Sequence, residues 1–332
     1  MTPDRWTLAL ESGIVTLPEE ARTLVLRARG TADFGGLGEV TAVQGFYPDH
    51  RLLAERGIAV STAAEGVFDA ALVQIVKSKA ESLSLIAEGL AHLRVGGVLM
   101  VDGQKAEGIE SVLKTVRGVL PVEHVLSKAH GKLFWLTRPA DLRETVLTWI
   151  AEPQEVEVGY VTAPGVFSSD GPDPGSELLI ALVPALKGRV ADLGAGWGYI
   201  AAELLTEQND ITQLDLIEAE AAALDAARAN IDDPRAQFIW GDATTYRPDE
   251  PYDAVVANPP FHTGRNADPG LGRAFIAAAA RILKPSGQFF MVANRHLPYE
   301  AALKDHFTAG AMLAEIHGYK LYQASKPKLA RH

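Results

Sequence analysis

The nine residues Val190 to Gly198, Val-Ala-Asp-Leu-Gly-Ala-Gly-Trp-Gly, constrain this chain more than any other segment. A short apolar strand runs into glycines at three alternate positions, and the alanine- and leucine-rich stretch from Tyr199 to Leu205 then reads as a helix. Gly194 and Gly196 permit a tight turn and a close approach of a ligand to the backbone, and Gly198 lets the next helix pack near the strand. Alone, such a turn serves a dinucleotide enzyme or merely reverses the chain. The residues downstream of it give it meaning.

The elements after it alternate. Ser176 to Leu186 reads as a helix, Arg189 to Leu193 as a strand, Gln213 to Ile217 as the next strand and Ala221 to Asn230 as the next helix. Gln237 to Trp240 and Ala254 to Ala257 read as buried strands, and Gln288 to Val292 as another. Between the last two lies a helix, Arg273 to Leu283, stopped by Pro285 and Gly287. Strand–helix repetition of this kind predicts an α/β fold, a mostly parallel sheet with helices on both faces.

A weaker form of the rhythm fills the first half, with strand candidates at Thr23 to Arg27, Glu39 to Val43, Ala70 to Ile75 and Val98 to Asp102. Helix candidates there are Pro48 to Arg56 and Glu81 to Leu93. Phe68-Asp69 mirrors Tyr252-Asp253, and Leu93 to Gly97 mirrors Leu283 to Gly287, which points to an internal duplication; two unrelated α/β segments give a similar alternation. The copies are chemically unequal. Arg29 to Ala32 and Gln74 to Lys77 stand where the second half has its glycine turn and Asn258-Pro259-Pro260-Phe261. Four prolines and four glycines between Ala151 and Gly175 mark a linker. The expected domains are 1–150, a degenerate copy for scaffolding or substrate capture, and 151–332, the catalytic copy.

Two acids succeed the glycine turn in order. Glu218 ends the second strand, where a carboxylate accepts hydrogen bonds from ribose hydroxyls. Asp242, within Gly241-Asp242-Ala243, is placed to meet an adenine edge; either acid also reads as an ordinary helix-start residue. Asn258-Pro259-Pro260-Phe261 comes directly after the fourth strand at the carboxyl edge, where open α/β sheets bind ligands. Asn-Pro-Pro-aromatic resembles the motif of methyltransferases that modify planar nitrogens, which implies that the Asn258 side-chain oxygen and the Pro259 carbonyl each accept an N–H from a planar amine, turning its lone pair toward an electrophile. The prolines stiffen the acceptors, and Phe261 offers a face for stacking. An aspartate in place of Asn258 would also accept an amine hydrogen.

Asp192 through Gly198 with Glu218 and Asp242 resembles the class I S-adenosylmethionine-dependent methyltransferases, and Asn-Pro-Pro-aromatic is similar to the motif of members that modify planar nitrogens. The wider pattern includes Pro164 to Ser168, Asp170-Gly171, Gly175-Ser176, His262, Gly264 and Val292 to Tyr299. With the degenerate first copy, it resembles the RsmC/RlmG family of ribosomal RNA guanine-N2 methyltransferases, and within it the small-subunit branch. The resemblance implies two tandem methyltransferase-like (Rossmann-like) domains, the first degenerate, and methylation of guanine N2 in 16S ribosomal RNA. It implies a cofactor set of Asp192, Gly194, Ala195, Gly196, Gly198, Glu218, Asp242, Ala243 and Asn258, with Asn258, Pro259, Pro260 and Phe261 catalytic. Phe167, Phe261 and His262 would line the substrate side, His262 contacting the base or ordering its loop. Alternatives are large-subunit guanine-N2 methylation, glutamine-amide methylation of a release factor, and a ribosome-assembly module without turnover.

The net charge of −11 weighs against a nucleic-acid partner until it is divided: residues 1–150 carry 16 Lys+Arg against 18 Asp+Glu, the remainder 15 against 24. The first half is thus the better RNA platform, with Lys77, Lys79 and Lys105 as substrate-binding candidates among Arg22, Arg27, Arg29, Lys114, Arg117, Lys128 and Lys132. Arg265, Arg273 and Arg295 are further phosphate candidates. The expected partner is small-subunit ribosomal RNA or the assembled subunit, met by a monomer. Cysteine is absent and the nine histidines show no ligand spacing, so no metal is expected. No apolar run reaches bilayer length, and the chain reads as cytosolic.

Overall fold

The computed structural model describes residues 4–156, 159–260 and 269–328. The chain divides into two compact units, Met1–Glu152 and Pro153–His332. The first contains α1 (Arg5–Glu11), β1 (Arg22–Leu26), β2 (Glu39–Val43), α2 (Tyr47–Glu55), β3 (Ala59–Ser61), β4 (Phe68–Gln74), α3 (Lys79–His92), β5 (Leu93–Gln104), α4 (Ile109–Arg117), β6 (His124–Lys128), β7 (Gly131–Thr137) and α5 (Glu144–Leu147). The second contains β8 (Gln154–Val156), β9 (Tyr160–Thr162), α6 (Pro174–Leu182), β10 (Gly188–Leu193), α7 (Tyr199–Glu207), β11 (Ile211–Glu218), α8 (Ala221–Asn230), β12 (Ala236–Trp240), β13 (Tyr252–Ala257), α9 (Pro269–Ile282), β14 (Leu283–Asn294), α10 (Glu300–His306), β15 (Phe307–Ile316) and β16 (Tyr319–Pro327).

Both units carry a sheet of the same topology: β3-β2-β1-β4-β5-β7-β6 in the first and β12-β11-β10-β13-β14-β16-β15 in the second. The first five strands of each order pair in parallel and the last two join antiparallel. The order reverses beside β10, which opens a crevice at the carboxyl edge.

Alternation along the strands divides the core of the second unit into two layers. Ala191, Leu193, Val255, Ala257, Phe289 and Met291 point to one face, under Phe275, Ile276, Ala279 and Ile282 of α9. Val190, Ala254, Val256, Phe290 and Val292 point to the other, under Ile200, Ala201 and Leu204 of α7 and Leu224 and Ala227 of α8. Burying each large apolar side chain contributes about 1.5–3 kcal/mol, and the doubly covered sheet is therefore the rigid base of whatever its carboxyl edge holds.

Several boundaries differ from the sequence reading. The helix expected from Ser176 begins at Pro174, because Asp173 caps it by accepting the Ser176 N–H at 3.1 Å, and it ends at Leu182 rather than Leu186. The helix expected over Arg273 to Leu283 spans Pro269–Ile282. The proline- and glycine-rich linker contains the β8–β9 hairpin. β15 and β16, like β6 and β7, go beyond the sequence reading: the outer strands β6 and β15 are largely exposed and carry no alternating apolar pattern, and pairing with the sheet supplies the order that periodicity lacks.

The first-copy turn is also displaced. Leu26 lies opposite Val73 and Leu193 opposite Ala257, which makes Arg27, not Arg29, the counterpart of Gly194 and Gln74 the counterpart of Asn258. Arg27 keeps the left-handed backbone of the turn, at φ 55°.

Candidate functional site

The parallel register brings the chemistry-bearing residues to one edge. Leu193 is opposite Ile217 and Ala257, and Ile217 is opposite Ile239, so Gly194, Glu218, Trp240 and Asn258 stand at one level of the carboxyl edge, with Gly241 and Asp242 just beyond.

The turn after β10 is left-handed at each glycine: φ is 74° at Gly194, 56° at Gly196 and 89° at Gly198. These values favour residues without a Cβ, and the surroundings give each a separate reason. A Cβ at Gly194 would lie 3.1 Å from the Phe275 ring. At Gly198 it would lie 3.0 Å from Ile231 and 3.1 Å from the Ala227 Cβ, so this glycine lets the turn that enters α7 lie close against α8, a neighbour the sequence reading did not name. At Gly196 nothing stands within 4 Å. The space above it is left open.

Glu218 holds the turn. One carboxylate oxygen accepts the Gly196 N–H at 2.8 Å and the other the Glu220 N–H at 2.7 Å. Burial pushes its carboxyl up, partly countered by those N–H donors. Asn230, at the end of α8, ties the same turn to β9: its amide donates to the carbonyls of Val161 at 2.8 Å and Trp197 at 2.9 Å, and its oxygen accepts the Val161 N–H at 2.7 Å.

Gly194, Ala195 and Gly196 line one cavity with Phe167 and Asn258. Asp173, Ser176, Trp197, Tyr199 and Ile200 share its wall. Phe167 is half exposed there, while Asn258 is buried at 7% exposure. The Asn258 amide nitrogen donates to Asp173 Oδ2 at 2.8 Å and Ser176 Oγ at 2.9 Å. Its Oδ1 is buried without a hydrogen-bond partner among the described residues. A buried acceptor left unpaired costs about 1–3 kcal/mol, which suits an atom that meets its donor in a ligand. Pro259 is buried beside it and Pro260 is exposed.

Other expected residues are placed differently. Asp192 lies behind the turn, fully buried on the apolar face of β10 with Val190; neither carboxylate oxygen has a partner among the described residues, and burial, reinforced by the nearby Glu218 charge, pushes its pKa up to about 8. Asp242 accepts the Thr244 N–H at 2.8 Å and the Thr244 hydroxyl at 2.6 Å, bracing the loop after β12. The Ala243 side chain belongs to the core, leaving its backbone as the part that can face a ligand. Phe261, His262, Gly264 and Arg265 lie outside the described residues. Asp173 and Asn230 join the site without having stood out in the sequence, and Ser176 and Trp197, read there only as parts of motifs, line it too; the Asp-Pro pair that opens α6 is the signal that could have found Asp173.

In the first unit the counterpart edge is filled. The Arg29 N–H donates to Gln74 Oε1 at 2.7 Å, the Arg29 guanidinium forks onto Glu107 at 2.8 and 3.0 Å, and Arg27 pairs with Glu81 at 2.8 Å. Arg27, Arg29 and Lys132, which pairs with Glu110 at 3.0 Å, are thereby engaged by carboxylates rather than joining one basic face. Lys77, Lys79 and Lys105 are exposed in the segments following β4 and β5. Among the described residues no group of acids and histidines could hold a metal ion, and no helix is long and apolar enough to cross a membrane.

Comparison with known proteins agrees with this geometry. The pattern of the methyltransferase small domain family matches residues 157–323. A ribosomal RNA small subunit methyltransferase C of Shewanella pealeana is 31% identical over 266 residues, covering 78% of each chain. The protein of that name from Shewanella loihica is 32% identical over 268 residues, again 78% of each. The solved structure of the T. thermophilus 16S rRNA guanine-N2 methyltransferase RsmC, in complex with S-adenosylmethionine and guanosine, superposes with a TM-score of 0.78 at 25% identity, covering 94% of this chain and 90% of that one. With the family pattern over residues 157–323 and the relatives matched over most of the chain in agreement, the chain belongs to the methyltransferase small domain family and, within it, to the ribosomal RNA small subunit methyltransferase C family.

Proposed function

We propose that this chain transfers the methyl group of S-adenosylmethionine to the exocyclic N2 of a guanine in small-subunit ribosomal RNA, in the cytoplasm. The observation that carries the reading is the unpaired, buried Asn258 Oδ1 on the wall of the cavity that the glycine turn also lines.

The residues present fit the cofactor. The open space over Gly196 accommodates a methionine portion against the backbone, Glu218 stands at the end of β11 for the ribose hydroxyls, and Asp242 and Ala243 come after β12 for the adenine. The bound cofactor supplies an activated methyl on a sulfonium. The protein's task is then alignment. The exocyclic amine of guanine is a poor nucleophile because its lone pair is delocalised into the ring. Asn258 Oδ1 and the Pro259 carbonyl accept its two N–H groups and turn the lone pair toward the methyl carbon, while Phe167 and Phe261 offer apolar faces to the base. Amine acidity rises as the new bond forms, so water takes the proton and no strong base is needed.

In the first unit, the filled edge argues against a second cofactor site and supports a role in holding RNA, with Lys77, Lys79 and Lys105 as phosphate contacts. The test is labelled-methyl transfer onto purified small subunits, deproteinised small- and large-subunit RNA, and release factors, followed by nucleoside and amino-acid analysis. Label in N2-methylguanosine of small-subunit RNA is expected; label in methylglutamine, or none, overturns the reading.

A further inference from the structure

Asn258 has two chemically opposite ends, and its orientation decides which one a substrate meets. In the structure both hydrogens of its amide nitrogen are engaged from the side of α6, by Asp173 Oδ2 at 2.8 Å and Ser176 Oγ at 2.9 Å. The same Asp173 oxygen accepts the Ser176 N–H at 3.1 Å as the cap of α6, so its position is fixed by the helix it begins. Gly175 makes room for the arrangement: a Cβ there would lie 2.8 Å from Asp173 Oδ2 and 2.9 Å from the Tyr319 ring.

We infer that Asp173 and Ser176 are positioning residues that lock the amide of Asn258 so that its oxygen, and never its nitrogen, faces the acceptor amine. The inference rests on the proposed function for the identity of the acceptor. A reversed amide would set Oδ1 against a carboxylate oxygen with no proton between them, and would aim two N–H donors at an amine that needs acceptors. The locked amide presents its acceptor without reorganisation during the reaction.

The same contact settles a choice that the tetrapeptide leaves open. An aspartate replacing Asn258 would retain an acceptor for the amine, yet here its second oxygen would meet the Asp173 carboxylate at hydrogen-bond distance. Two carboxylates so placed do not both stay ionised in place. An asparagine is therefore required at this position by a residue 85 positions earlier in the chain.

The test compares Asn258→Asp, Asp173→Asn, their combination, and Asp173→Ala with Ser176→Ala, all in the full chain. Single-turnover methyl transfer to small-subunit RNA should fall about 10²-fold or more in Asn258→Asp, an order set by losing a positioned acceptor. Asp173→Asn alone should cost less than Asn258→Asp, since an amide oxygen can accept both bonds. Adding it to Asn258→Asp should restore roughly 10-fold or more, because a neutral amide oxygen still caps α6 while the second charge is gone, so the carboxylate introduced by Asn258→Asp stays ionised in place with the Ser176 hydroxyl as its donor. Asp173→Ala with Ser176→Ala should lower the maximal rate about 10-fold while RNA affinity holds. No recovery in the combined variant, despite activity in Asp173→Asn, would overturn the inference.

A substrate-free measurement stands beside it. With asparagine labelled selectively with 15N, the Asn258 side-chain amide should exchange slowly with water in wild type and fast in the Asp173→Ala, Ser176→Ala variant. Fast exchange in wild type would also overturn the lock. If wild type forms no N2-methylguanosine, the proposed function fails while the amide measurement still decides the inference.

Discussion

Gln44 holds in the first sheet the place that Glu218 holds in the second. Val43 lies opposite Leu26 and Ile217 opposite Leu193, and each following side chain accepts the N–H two residues on, from Phe46 at 2.8 Å and from Glu220 at 2.7 Å. The difference is the other end: Gln44 donates its amide back to the Ala28 carbonyl at 2.7 Å, whereas Glu218 has only acceptor oxygens for ribose hydroxyls. One cofactor per chain is therefore expected by calorimetry with S-adenosylhomocysteine, and Glu218→Ala should weaken it by about 10-fold or more, for the loss of a charge-assisted pair. A second binding event that survives Glu218→Ala would contradict the division between the copies.

Gly196→Val should reduce cofactor affinity sharply while circular dichroism stays native-like. The residue sits at φ 56° with open space where a side chain would go, so valine adds strain locally and fills room meant for a ligand, without touching the core. Wild-type affinity would remove this turn from the binding site.

Asn258→Ala should leave S-adenosylhomocysteine affinity within a few-fold and slow methyl transfer by about 10²-fold or more. Single-turnover rates at saturating RNA are the relevant measurement. Near-wild-type chemistry would eliminate the amine clamp.

Asp192 makes stability depend on pH. Its folded pKa is raised to about 8 from an ordinary value of 3.8, so its contribution is fully present below the unfolded value and is lost as pH rises through the folded one. Urea midpoints of wild type should fall between about pH 5 and about pH 8.5, and those of Asp192→Asn should fall less. Glu218, also raised, acts with the same sign in both proteins, and the difference between them reads Asp192 together with its repulsion from Glu218. Parallel pH curves would mean that Asp192 ionises normally in the folded chain.

Replacing Lys77, Lys79 and Lys105 with Ala should weaken RNA binding and flatten its salt dependence by about 0.7 in slope for each phosphate no longer neutralised, with free-cofactor affinity unchanged. Titrations at several salt concentrations check this. An unchanged slope would place RNA capture elsewhere.

The α/β fold, the duplication, the class of cofactor and the ribosomal RNA guanine family were legible in the sequence because each is written locally. Strand and helix periods, a glycine turn and a proline-stiffened tetrapeptide each fall within a few consecutive residues, and the duplication and the family follow from the order in which such local signals recur along the chain. The helix from Ala221 to Asn230 agrees with its expected bounds for the same reason. Strand β16 and the edge strand β15 were not legible, since antiparallel pairing onto β14 supplies an order that their own burial patterns do not encode.

What only the tertiary structure decided is how distant groups complete one another. Asp173 and Ser176 reach Asn258 across 85 and 82 residues because the parallel register and the capped start of α6 bring them to the same carboxyl edge. Asp192 reads as part of a cofactor loop, yet strand alternation turns its carboxylate into the apolar layer instead. Sequence names the donors and acceptors of a hydrogen bond, but packing alone determines which of them meet and which atom is left unpaired for a ligand.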